Sequence, residues 1–209
     1  MNISISSKIK EICPDFKVAL LQCYVVNRAT SNELWHEISA ESERIIAHYK
    51  LEEINKRPEI LATRKAYKAL GKDPNRYRPS AEALCRRIVR GLPLYRTSVL
   101  VDIINLVSIR SGFSIGGFDA DKIKGNLMLG VGTANDEFEA IGRGLLNIEG
   151  LPVYRDEIGG IGTPTSDNER TKISAETTNL LMLINAYSGE KGLQEAVDFS
   201  KKLLEKYVI

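Results

Sequence analysis

Between Lys56 and Arg96 the chain carries twelve Lys and Arg residues against three acids, Glu59, Asp73 and Glu82, a net of +9 in a chain whose total is +2. The remainder is therefore net −7. Positive charge concentrated in this way is the footprint of a phosphate-rich partner. A solvated helical face is the plain alternative. Within the band, Arg78, Arg86, Arg87 and Arg90 are the candidates for phosphate contact, because the planar guanidinium fork matches phosphate oxygens. Other chemistries find no residue set. Cys13, Cys23 and Cys85 lack CxxC spacing, which argues against a disulfide framework and a zinc site. Cys23 and Cys85 sit in apolar surroundings and read as buried, inert thiols. His36 and His48 share one helical segment, and no Ser-His-Asp or Cys-His arrangement accompanies them. The glycine-rich segments lack the GxxxxGK[ST] and GxGxxG patterns, so no nucleotide, metal or other cofactor is expected.

The elements that must position these residues follow from the patterning of 209 residues, 43% of them hydrophobic and 27% charged. That balance is ordinary for a folded domain. Phe16 to Val26 reads as a buried strand. Leu34, Ile38, Ile45, Ile46 and Tyr49 recur at helical spacing, with Ser31 or Asn32 as N-cap. Pro58 opens a second helix that Gly71 ends. Ser80 is expected to cap a third, whose apolar positions Ala81, Leu84, Cys85 and Ile88 fall on one face. Val99 to Ile109 favours a helix. Ser111 to Gly117 reads as a glycine-rich loop, Asn126 to Val131 and Leu151 to Arg155 as strands, and Glu157 to Glu169 as a long site-lining loop. Asn179 to Asn185 fits a buried strand or part of a helix, and Leu193 to Tyr207 a terminal helix. Strands and helices interleave without a break in composition. The expectation is one layered α/β (α+β) domain over 1–209, a mixed sheet flanked by helices, with 1–14 as an N-terminal extension. Met1 to Lys10 lacks the apolar run of a signal peptide. The longest nearly apolar stretch, Val18 to Val26, is shorter than the about 20 residues that cross a bilayer. A cytoplasmic location without membrane contact is therefore expected.

Two segments are more specific. Arg64 to Gly91 contains Gly71, Asp73, Pro74, Arg78, Ser80, Glu82 and Leu84 in a G-x-D-P-x-x-x-R-x-S-x-E-x-L block. Val101 to Lys124 contains Val101, Asp102 and Asn105, then Phe118, Asp119, Asp121, Lys122 and Ile123. Together they resemble the B3/B4 domain, the tRNA-editing module of the phenylalanyl-tRNA synthetase β subunit, and most closely its free-standing members. The resemblance runs from about residue 15 to the end. It implies a layered α/β fold, tRNA as partner rather than DNA, and hydrolysis in trans of the ester of a mischarged aminoacyl-tRNA, without the ligase activity of a whole synthetase. The bacterial synthetase carries an editing histidine where this chain has Gly116, between Ile115 and Gly117. Its tyrosine-sensing glutamate lies in a later loop where Glu169 or Asp167 stands here.

An aminoacyl ester is already activated, and its hydrolysis needs a positioned water, donors to the developing oxyanion and a sorting pocket. Under that reading Asn105 holds the amino group or a water, unless it bonds local backbone instead. Gly116 and Gly117 offer backbone amides, or form only a tight turn. Asp119 and Asp121 bind the α-ammonium, or cap a turn. Thr163, Thr165, Ser166, Asp167 and Glu169 orient water or the amino acid, or belong to a solvated loop. Tyr77 stacks on an unpaired base at the acceptor end. Arg78, Ser80 and Glu82 have a structural alternative, with Glu82 at a helix N-terminus and Arg78 paired to an internal acid. Two further readings stand beside the deacylase: a non-catalytic RNA-binding module, and an amino-acid-binding domain without RNA contact.

Overall fold

Asn179–Ala186, NLLMLINA, decides the architecture, because seven of its eight residues are buried. A near-continuous apolar run of that length suits a strand covered on both faces. The computed structural model describes residues 1–209. In chain order the elements are β1 (Ile3–Ile5), α1 (Ser7–Ile12), β2 (Lys17–Tyr24), α2 (Asn32–His48), α3 (Pro58–Ala69), α4 (Ser80–Val89), α5 (Val99–Ser111) and β3 (Ser114–Asp119). They continue with β4 (Leu127–Val131), β5 (Glu139–Ala140), β6 (Gly144–Leu145), β7 (Pro152–Arg155), β8 (Gly160–Gly162), β9 (Asn179–Ala186) and α6 (Leu193–Tyr207).

Strand β9 lies between β2 and β3, antiparallel to both, with Leu183 opposite Leu20 on one side and Gly116 on the other. Successive side chains of a strand point to opposite faces. Leu180, Met182 and Ile184 accordingly join a core built with α2, α4, α5 and α6. Leu181 and Leu183 join a second core with Phe118, Leu127, Leu129 and Tyr154. That second core belongs to the other sheet, ordered β1-β4-β7-β8. There β1 runs parallel to β4, and the remaining pairs are antiparallel. The layers are thus helices, three-stranded sheet and mixed four-stranded sheet, an α+β fold. Residues 1–14 supply β1 and α1: the Ser6 N–H donates to Leu129 O at 2.9 Å, and Ile9 is fully buried.

Local signals set the helix ends. The Ser31 hydroxyl accepts from Leu34 N–H at 3.2 Å and caps α2. Pro58 opens α3, and Gly112 at φ +83° ends α5 in the left-handed region that favours glycine. Three expectations need correction. Ser80 is the first residue of α4 rather than its cap, which is Pro79. The 111–117 segment is not a loop: β3 begins at Ser114, and all six of its residues are buried. The 157–169 segment contains β8 and is pinned by bridges pairing Gly162 with Asp167 and Ala140 with Asn168. In both segments glycine permits close packing rather than looping.

Part of the basic band is internal. The buried Arg57 donates to Ile109 O at 2.8 Å and Arg110 O at 3.0 Å. Arg64, also buried, donates to Glu82 Oε2 at 2.8 Å, Asn75 Oδ1 at 2.7 Å and Pro74 O at 3.1 Å. Glu82 is 1% exposed, and Arg78 Nε stands 3.5 Å from its other oxygen. This cluster ties α3, the 73–78 turn and α4 into one unit. Removing one member of a buried pair strands the other charge, at about 3–5 kcal/mol. Glu82→Ala is therefore expected to lower the unfolding free energy in urea by that amount. The double change Arg64→Met with Glu82→Leu is expected to cost distinctly less. Equal losses for the single and double changes would contradict a coupled pair.

Candidate functional site

A cavity of about 360 Å³ opens between α4, α5, β3 and the chain from Ile141 to Ile173. Helical spacing explains the α5 wall: Val101, Ile104, Asn105 and Ser108 fall at i, i+3, i+4 and i+7 on one face. Ser80 and Leu84, four apart, form the α4 wall. Ile115 and Gly117 alternate onto the same face of β3, and Asp167, Lys172 and Ile173 close the far side. The walls are chiefly aliphatic, and few polar groups enter. The Asn105 amide and the Ser80 hydroxyl make no hydrogen bond within the chain, whereas the Ser108 hydroxyl is committed to Phe113 O at 2.7 Å. The local-backbone alternative for Asn105 is thus not what the side chain does.

Asp167 is the only acid on the lining and has no ion-pair partner. Its Oδ2 accepts from the Gly117 N–H at 3.2 Å. Two glycines make room for it. A Cβ at Gly162 would lie 2.7 Å from Asp167 Oδ1 and 2.6 Å from the Phe118 ring; one at Gly116 would lie 2.7 Å from that ring. Burial pushes the Asp167 carboxyl up to about 7, against a smaller pull downward from the Gly117 N–H. The residue as a whole is only half-buried, because the cavity gives it a window to water while the rest of its surroundings is protein.

The structure brings together some expected residues and separates others. Asn105, Gly117 and Asp167 share the cavity. Gly116 faces the other way, against Phe118, so a side chain there meets the inter-sheet core rather than the pocket. The Gly117 amide is not free to serve an oxyanion, since Asp167 takes it. Asp119 is buried and accepts from Thr177 Oγ1 at 3.0 Å and from the Asp121 N–H at 3.2 Å. Asp121 is exposed and accepts from Asn179 Nδ2 at 2.8 Å. Both acids serve the turn after β3 and neither lines the cavity. Thr163 closes a tight turn, its Oγ1 accepting from the N–H groups of Thr165 and Ser166 at 3.2 and 3.1 Å. Thr165 Oγ1 lies 2.8 Å from Tyr67 Oη and is buried. The Ser166 carbonyl accepts from Thr163. Glu169 pairs with Lys172 and accepts from the Gly142 N–H at 3.2 Å.

Among the proposed RNA contacts, Arg78 bonds Asn75 O and pairs with Glu82, and Arg86 bonds Leu51 O at 3.1 Å. Arg90 is exposed and without a partner. Arg87 follows Ser80 and Leu84 on one face of α4, donates to Pro93 O at 2.7 Å and lies 4.1 Å over the Tyr95 ring. Tyr95 is 72% exposed. Tyr77 instead packs against a small core cluster and is covered by Lys72, 3.9 Å over its ring. Sequence reasoning did not single out Tyr95 or Lys172, and gave Ser80 only as a motif member and helix cap. The Arg87-to-Tyr95 spacing across the helix-ending Gly91 was the signal available for Tyr95; nothing local marks Lys172. A second groove, lined by Asn27, Arg28 and Ser98, shares Thr97, Val101 and Ile173 with the cavity and prolongs it. No three His, Cys, Asp or Glu side chains converge as metal ligands, and no helix is long and apolar enough to cross a membrane.

The folded Asp167 carboxyl holds its proton to about pH 7, whereas an unfolded one releases it near about 4. The stability it contributes is complete below the lower value and lost as pH rises to the upper. Asp167→Asn cannot ionise and is expected to gain on the wild type across that window, by about 2 kcal/mol once water at the cavity mouth is allowed for. Urea unfolding of both proteins across that range checks it. A pH-independent difference would contradict it.

A family model described as B3/4 domain matches residues 62–200, which contain both motif segments in full. No curated protein matches the chain. Among solved structures, the N-terminal fragment of the phenylalanyl-tRNA synthetase β subunit from Pyrococcus horikoshii is similar at 15% identity with a TM-score of 0.47, over 98% of this chain and 49% of that one. The chain thus spans about half the length of that structure. On the family match, the chain belongs to the B3/4 domain family.

Proposed function

We propose that this chain, read as one B3/4-like domain over 1–209, binds RNA in the cytoplasm and hydrolyses the ester of mischarged aminoacyl-tRNA in trans. The observation that carries the reading is the aliphatic cavity holding an uncommitted Asn105 amide, with Arg87 following its wall residues Ser80 and Leu84 along one face of α4 and stacked on Tyr95. Membership of the B3/4 family supports the connection to tRNA synthetases. In this reading Tyr95 stacks on the terminal base, Arg87 and the partner-free Arg90 meet phosphates, and the groove toward Arg28 takes the rest of the acceptor strand. Asn105 Nδ2 and Ser80 Oγ position the attacking water or donate to the oxyanion. Water adds its oxygen to the ester carbonyl carbon. The carbon–oxygen bond to the ribose then breaks, and the ribose oxygen leaves with the proton, assisted by the neighbouring ribose hydroxyl.

A second reading, a non-catalytic RNA-binding module, is favoured by one observation: the position of the synthetase's editing histidine is Gly116, packed against Phe118. An amino-acid-binding domain without RNA contact remains the third. Incubation of the purified protein with a panel of aminoacyl-tRNAs, scoring ester loss, separates them. The expected outcome is turnover of at least one mischarged species, lowered about a hundredfold in Asn105→Ala as for loss of one oxyanion donor. Arg87→Glu is expected to weaken binding across tRNA species and reduce the salt slope by about 1. RNA binding without ester loss for any amino acid selects the second reading; amino-acid binding with no RNA binding selects the third.

A further inference from the structure

A carboxyl group rarely stands in an aliphatic cavity without a cation, because an uncompensated charge there is costly. Asp167 stands so. Its one polar partner is the Gly117 N–H. The other charged side chain on the lining, Lys172, is bonded to Glu169 instead. Around the carboxyl lie the Phe118 ring and the bare Cα atoms of Gly116 and Gly162. Arg170, three positions along the chain, is held by Asp156 at 2.7 Å. The fold therefore keeps its nearby cations away from this one acid, and it leaves Cβ atoms out of two strands to seat it.

We propose that Asp167 anchors a primary ammonium group, so that the cavity takes an amino acid or aminoacyl group with a free amine and an apolar side chain. This rests on the proposed reading of the pocket and narrows it. An ammonium against Asp167 supplies the missing countercharge through a charge-assisted hydrogen bond. The side chain then lies against the aliphatic walls from Leu84 to Ile173, and the carboxyl end points to the Asn105 amide. N-acylated and peptidyl groups are excluded, because a neutral amide nitrogen brings no charge and adds bulk at the closed end. The role belongs to Asp167 rather than to Asp119 or Asp121, both committed outside the cavity. Binding also draws the proton from the carboxyl, with Lys172 and Glu169 as the neighbouring titratable groups, themselves paired.

The test uses the full chain and the amides of L-alanine, valine, leucine, phenylalanine and tyrosine, each with its N-acetyl counterpart. Binding is followed through the Gly117 backbone amide resonance and by calorimetry in buffers of different ionisation enthalpy. At least one free-amine amide is expected to bind about tenfold or more tightly than its N-acetyl form. Its binding is expected to release a proton near neutral pH. Asp167→Asn, which keeps the shape and an acceptor for the Gly117 N–H, is expected to abolish both the discrimination and the proton release. Equal binding of the acetylated form, unchanged binding by Asp167→Asn, or no binding of any amide overturns the assignment. Two outcomes separate this inference from the deacylase reading. Ester hydrolysis that proceeds equally on N-acetyl-aminoacyl-tRNA sinks the ammonium anchor alone. Amine-selective binding without hydrolysis sinks the deacylase alone.

Discussion

The structure depends on one strand being covered on both faces. Leu180, Met182 and Ile184 of β9 belong to the helical core, while Leu181 and Leu183 belong to the core between the sheets. Each fully buried aliphatic side chain contributes about 1.5–3 kcal/mol. A one-residue slip of register would exchange the two sets and put every side chain on the wrong face. Because β9 is fixed, its neighbour β3 is fixed, and so is the line along which β3 meets α5. The cavity forms where that contact is left incomplete.

The incompleteness is built with glycine. At Gly117 a Cβ would lie 2.4 Å from Ile104 Cδ1, so a side chain there would have to push the Ile104 side chain aside. Gly116 makes room for the Phe118 ring, and Gly162 for that ring and the Asp167 carboxyl. The same residue type thus serves two ends: it draws layers together in one place and leaves room for a polar group in another. Charge is arranged with similar economy. Arg57 and Arg64 hold helices and turns together from inside, which leaves a smaller set at the surface, the half-buried Arg87 and the exposed Arg90 among it.

Much of the fold was legible in the sequence because hydrophobic period and end signals agreed. The stripe Ala81, Leu84, Cys85 and Ile88 appears as the inner face of α4, with Leu84 shared between core and cavity. Ser31, Pro58 and Gly71 act where local chemistry places them. The 111–117 segment was misread because glycine is ambiguous: it marks a loop by local preference and a tight packing contact by tertiary demand, and only the partner strand distinguishes them. The cavity was half legible. Asn105 and Gly117 lie in the second motif block, but the acids of that block, Asp119 and Asp121, are turn residues. Asp167 takes its meaning from a bridge to Gly162 and a bond to Gly117 fifty positions away. The net charge of the basic band overstated its surface, since a sequence count cannot separate an arginine that binds carbonyls in the core from one that faces solvent.

The account therefore turns on a single location, the gap between α4, α5 and β3 floored by Asp167. A crystal structure of the full chain with a non-hydrolysable 3′-aminoacylamino-adenosine tests it most directly. The account predicts density for the aminoacyl part between Asn105 and Asp167, with the adenine beside Tyr95. An empty cavity with the analogue bound on another face would contradict it.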